Sequence, residues 1–175
     1  MVAAMNINVR LASATIIAFL LAGTLAAAQG GIRSVSAQAG ATVVGTLRVD
    51  KISDSPTPIF GLGVSIVNTA DSSSGGGGGA GKATFSDFTV SRQSDAVSPL
   101  LFKAAATGQH IVKVQIDVFQ ANSTNVEASY ILSNVLVSGY SNDGSFEKIA
   151  FSFAKIEFVS GGVSSCFDLS GNLGC

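Results

Sequence analysis

The stretch from Ser72 to Phe85, SSSGGGGGAGKATF, carries the first residues whose types and spacing could do chemistry. Gly76 to Lys82 follow the order G-x-x-x-x-G-K, the start of a phosphate-binding loop. Such a loop also needs Ser or Thr after the lysine to hold Mg²⁺, and a helix whose N-terminus faces the phosphates. Here Ala83 follows Lys82, and ATFSDFTVSR reads as a strand. The glycines are therefore expected to form a flexible connection between strands, with Ser72 to Ser74 adding to it.

Other catalytic and binding chemistry finds little support. His110 is the single histidine, which rules out a histidine dyad or a multi-histidine metal site within one chain. No G-x-S-x-G nucleophile elbow occurs. His110 follows a helical pattern at the start of a strand and reads as an edge or capping group. Asp87, Asp95 and Asp117 fall on separate strands and turns and read as surface charges. Asn122-Ser123-Thr124 fits a glycosylation sequon but sits in a polar turn, and it is read as a turn. The expectation is no catalytic residue, no cofactor and no metal. With no Trp, two Tyr and a net charge of −1, the chain offers neither a stacking platform nor a basic patch for nucleic acid.

Hydrophobic residues make up 47% of the 175-residue chain and charged residues only 12%. Part of that apolar excess lies at the N-terminus. Arg10 is followed by the charge-free run Leu11 to Ala28, which closes on Ala26-Ala27-Ala28. A short positive region, an apolar run and small residues describe a secretory signal peptide over 1–28, with Ala39 as a second candidate cleavage point. The strongly apolar part, Ile16 to Leu25, is short beside the roughly 20 residues of a membrane span. An uncleaved anchor is the alternative; after cleavage no stable membrane insertion is expected. A secreted protein, extracellular or periplasmic, follows from that reading. Cys166 and Cys175 are the two cysteines, both in the tail CFDLSGNLGC. An even count in an exported chain suggests that they pair, the alternative being two free thiols. Closing so short a loop would stabilise by about 2–3 kcal/mol in the chain-entropy picture.

The elements that would position these residues are mostly strands. HIVKVQIDVFQ alternates, with Val112, Val114, Ile116 and Val118 on one face. YILSNVLVSGY is apolar on both faces and reads as a covered strand. KIAFSFAKIEFV places Ile149, Phe151 and Phe153 on one parity and Ile156 and Phe158 on the other, so a bulge or a change of layer is expected at Ala154-Lys155. TVVGTLRVD and IFGLGVSIVN are further strands, and SNDGS, 141–145, is a hairpin turn. One segment differs. In SPLLFKAAATG, Ser98 can cap a helix, Pro99 suits its first position and Gly108 stops it. The expected fold is all-β, a closed barrel over 42–160 with one short inserted helix. A linker over 29–41 precedes it, and a tail over 161–175 holds the cysteines.

FSDFTVSRQSDAVSPLLFKAAATGQHI resembles the helix-bearing signature of the haemolysin-coregulated protein family, the tube proteins of type VI secretion systems. LSNVLVSGYS and FSFAKIEF resemble its later strands, and TLRVDKISDS and IFGLGVSIVN its opening ones. The resemblance implies a β-barrel with one helix on its side and a homo-oligomer, a hexameric ring. Rings would stack into a tube that carries secreted effector cargo, without enzymatic activity. In the family the long loop between early strands reaches toward a neighbouring ring. A glycine loop loses much conformational entropy on ordering, so weak stacking is expected here. The export signal also departs from the family pattern. It leaves a second reading, a secreted binding or adhesive module that acts without a contractile machine.

Overall fold

The computed structural model describes residues 41–69 and 81–175. The expected signal peptide, nearly all of the linker and the Gly75–Gly79 run lie outside the described residues. The elements follow as β1 (Gly45–Val49), β2 (Ser53–Ile59), β3 (Gly61–Gly63), β4 (Ile66–Asn68), β5 (Ala83–Phe85) and β6 (Phe88–Gln93). Then come α1 (Ser98–Thr107), β7 (Ile111–Phe119), β8 (Val126–Asn142), β9 (Phe146–Ser160), β10 (Val163–Asp168) and β11 (Leu173–Gly174). The fold is thus mostly β with one short helix.

All pairings in the main sheet are antiparallel, in the order β11-β10-β9-β8-β7-β1-β2. β6 joins β9, and β3 joins β6. β4 and β5 form a separate two-stranded sheet. Among the described residues no sheet closes into the expected barrel: β2 ends the path opposite β11, β3 ends the branch through β6, and β2 and β3 are joined through Phe60 without a ladder between them. The reason lies in β2. Residues two apart in a strand direct their backbone groups to the same edge. Phe60 donates its N–H to the Ser91 carbonyl on β6 (2.8 Å), so Pro56 and Pro58 fall on that same edge and bring no N–H to it. A β2–β6 ladder therefore cannot start before Phe60. On the other side β2 pairs β1, and β1 approaches β7 so closely at Gly45 that a Cβ there would lie 2.1 Å from the Asp117 carbonyl oxygen.

The parity change expected at Ala154-Lys155 occurs, and it spans three strands. Along β9 the buried residues run Ile149, Phe151, Phe153 and then Ile156. On β8 burial passes from Leu132 to Val135, and on β7 from Ile111 to Val114. The switching residues Val112, Asn134 and Ala154 share one row, between Ile111↔Val135↔Phe153 and Lys113↔Ser133↔Lys155. Asn134 sits in the left-handed region (φ 52°), which asparagine tolerates better than other side chains with a Cβ. The pairing register does not shift there, so the row turns over as a kink rather than a bulge. Val112, expected to be buried, is 58% exposed for the same reason, and Ile111 takes its place.

The helix starts one residue away from the expected cap. Val97 is the N-cap residue and Ser98 the first helical one. Ser98 Oγ accepts the Asp95 N–H (2.9 Å), while Asp95 Oδ1 accepts the Val97 N–H (2.7 Å), a reciprocal lock on the entry turn. Gly108 ends the helix in the left-handed region (φ 63°), and Gln109 N–H bonds the Ala104 carbonyl. Leu101 and Ala104 are buried in the core.

The tail is part of the sheet rather than an appendage. β10 pairs with Lys155–Ser160 of β9, whose same edge is taken by β6 over Phe146–Phe151. Leu169 N–H fills part of the gap between them by bonding the Ala154 carbonyl (2.9 Å). Phe167 and Leu169 pack against the core. Cys166 and Cys175 form a disulfide, with Cα atoms 5.3 Å apart.

Candidate functional site

The residues singled out for chemistry do not converge. Lys82 is followed by β5, a strand, where a phosphate-binding loop would be followed by a helix. His110 is exposed between α1 and β7. Asp87 accepts a hydrogen bond from Ser138 Oγ (2.7 Å), and Asp95 organises the helix entry. Asn122 is exposed in the β7–β8 turn with φ 58°. Among the described residues no group of three or more His, Cys, Asp or Glu side chains is placed to hold a metal ion. No helix among them is long and apolar enough to cross a membrane.

Asp117 is not the surface charge its sequence context suggests. It is buried and accepts Gln115 Nε2 (3.0 Å) and Ser129 Oγ (2.7 Å), with Arg48 Nη1 at 3.4 Å. The network ties β1, β7 and β8 across their polar face.

The larger electrostatic feature was missed in the sequence. Arg92 on β6 and Glu147 on β9 are cross-strand partners, each 1% exposed. Arg92 Nε lies 3.2 Å from Glu147 Oε1, an ion pair by distance whose angle does not make it a hydrogen bond. Arg92 Nη2 also contacts Asp95 Oδ2. Tyr140 donates its hydroxyl to Glu147 Oε2 (2.7 Å) and meets Phe102 of the helix edge-on at 5.8 Å. Burial, with the hydrogen bond to Glu147 adding to it, holds the Tyr140 phenol above its usual range despite the Asn142 contact. One network therefore joins β6, β8, β9 and the helix entry. The signal was parity: Arg92 alternates with Phe88 and Val90, and Glu147 with Ile149 and Phe151.

That network fixes the attitude of a helix whose outer face is apolar. Leu100 is 48% and Phe102 59% exposed, while Leu101 is buried beneath them. Ala106, one turn after Phe102, leaves room for a second surface to approach. The anchored helix thus presents large apolar side chains to water, the kind of patch that protein contacts use.

The sequence model of the family described as Type VI secretion system effector, Hcp, matches residues 58–159. No curated protein sequence matches the chain. Among solved structures, one described as a type six secretion system protein superposes with TM-score 0.65 at 22% identity, covering 77% of this chain and all of its own. Hcp1 from Salmonella typhimurium gives TM-score 0.61 at 21% identity over 77% of this chain and all of its own. The secreted protein Hcp3 from Pseudomonas aeruginosa gives 0.57 at 16% identity over 73% of this chain and 99% of its own.

Proposed function

The chain belongs to the Hcp family of type VI secretion system effectors, and from that premise we propose that it is a ring-forming structural subunit rather than an enzyme. The observation that carries the proposal is the anchored helix with Leu100 and Phe102 exposed on its outer face. Identical subunits meeting through two different patches form a heterologous contact, which closes into a ring when the rotation allows. Six copies in the ring is the number that the family resemblance implies. β2 reinforces the reading. Its Pro56 and Pro58 blunt one edge against unspecific strand addition, so contact through the helix is favoured over edge-to-edge pairing. Secreted effector cargo is the partner class that a ring of this kind would take.

Export by a signal peptide over Met1–Ala28 is the second part of the proposal, supported by Arg10, the charge-free run after it and its small closing residues. Electron microscopy of the purified chain tests the ring, and N-terminal sequencing of protein recovered outside the cytoplasm tests the export. Rings together with an N-terminus at Gln29 or Gly40 support both parts. An intact Met1 on membrane-held protein refutes the cleavage. Single particles without rings refute the assembly and favour a secreted binding module.

A further inference from the structure

A cleft of about 710 Å³ opens between the β4–β5 hairpin and the tail strand β10, over the far ends of β8 and β9. Tyr130 and Phe158 line it as a stacked pair, centroids 4.8 Å apart and rings inclined by 28°. Phe85 of the hairpin packs on Phe167 of the tail at 5.2 Å, so the two flanks meet there. One further tie joins them: Ala83 N–H donates to Asn172 Oδ1 (3.2 Å). Within the tail flank, Cys166, which lines the cleft, is bonded to Cys175. The cleft is therefore built before any ligand arrives, which spares a ligand the cost of ordering it.

We propose that this cleft binds an uncharged, mainly hydrocarbon small molecule that carries a single hydroxyl or carbonyl head group. Its volume falls in the range of roughly 300–1,000 Å³ that small-molecule sites occupy. Among the described residues none that lines it is charged, so an ionic head group entering it would lose water without gaining a counter-charge from them. The polar complement is small and neutral. Tyr130 contributes a phenol with no hydrogen-bond partner among the described residues, and Ser165 a second hydroxyl. The site lies on different elements from the helix face and does not depend on ring formation.

The full chain titrated with N-phenyl-1-naphthylamine, a neutral dye that brightens in apolar surroundings, tests the proposal. Saturable enhancement at one dye per chain, displaced by 1-dodecanol, is expected. Phe158→Asp and Ile66→Asp should each weaken dye binding by about tenfold or more, since each places a charge on the cleft. Ile66 is 60% exposed, so its variant keeps the test valid should the Phe158 variant fail to fold. Tyr130→Phe should retain the dye and weaken competition by 1-dodecanol, and Phe102→Ser, on the helix, should change neither. Reduction of the Cys166–Cys175 bond should weaken binding by freeing one flank. Absence of saturable binding, or binding indifferent to both charged variants, overturns the proposal. Dye binding lost as protein concentration rises also overturns it, by assigning the cleft to a contact between copies.

Discussion

Replacing Glu147 by Leu removes the carboxylate that faces Arg92 across β6 and β9. Arg92 is 1% exposed, its Nη1 has no hydrogen-bond partner among the described residues, and only Asp95 remains beside it. Stranding one member of a buried pair costs about 3–5 kcal/mol. The Tyr140 hydroxyl also loses its acceptor, adding about 1 kcal/mol. Glu147→Leu should therefore destabilise by about 4–6 kcal/mol, out of the roughly 5–15 kcal/mol that a domain possesses. Arg92→Met should cost about 3–5 kcal/mol, because Glu147 then keeps only Tyr140. The double variant removes both charges and leaves Asp95, which is partly solvated, and the Tyr140 hydroxyl. It should lie within about 2 kcal/mol of the parent, well short of the sum of the single changes. Urea unfolding followed by circular dichroism on the four proteins measures this cycle. Single variants that cost less than about 1 kcal/mol, or double-variant losses that simply add, would refute the reasoning and show the pair to be solvated.

Three other outcomes are expected. Reducing the Cys166–Cys175 disulfide, or Cys166→Ala, should lower stability by about 2–3 kcal/mol and leave the main sheet folded, as read from denaturant midpoints and circular dichroism. Gly45→Ala should destabilise by more than about 2 kcal/mol, because its Cβ would force β1 from the Asp117 carbonyl; a melting temperature equal to the parent's would contradict this. Asp143 and Asp168 should titrate below the usual carboxylate range in NMR titrations. The Phe146 and Ser145 N–H groups hold Asp143 there, and the Ser170 hydroxyl and Gly171 N–H hold Asp168. The stability of these turns is then fully present above the ordinary carboxylate pKa and is lost as pH falls through the depressed values.

Much of the strand plan was legible because one face of the longer strands β7 and β9 is buried. The alternation over β7 and β9 identified both strands, and the change of parity at Ala154-Lys155 was visible in the positions of Phe153 and Ile156. What could not be read locally was cooperation between strands. Val112 falls on the kinked row because Asn134 and Ala154 lie beside it, and those neighbours are distant in sequence. The closed barrel was an overreach of the same kind. Pro56 and Pro58 were visible, but their consequence depends on which edge of β2 faces β6. The tail reads as polar and turn-like, yet Phe167 and Leu169 bind it to the core. The helix followed from the local pattern of Pro99 and Gly108. The Arg92–Glu147 anchor beneath it did not, although the alternation pointed both charges inward.

Native mass spectrometry of the chain recovered after export tests the central claim most directly. The account predicts a single assembly of six copies, which Phe102→Asp on the exposed helix face reduces to subunits while circular dichroism stays unchanged. A monomer at every concentration, or hexamers indifferent to Phe102→Asp, would contradict it.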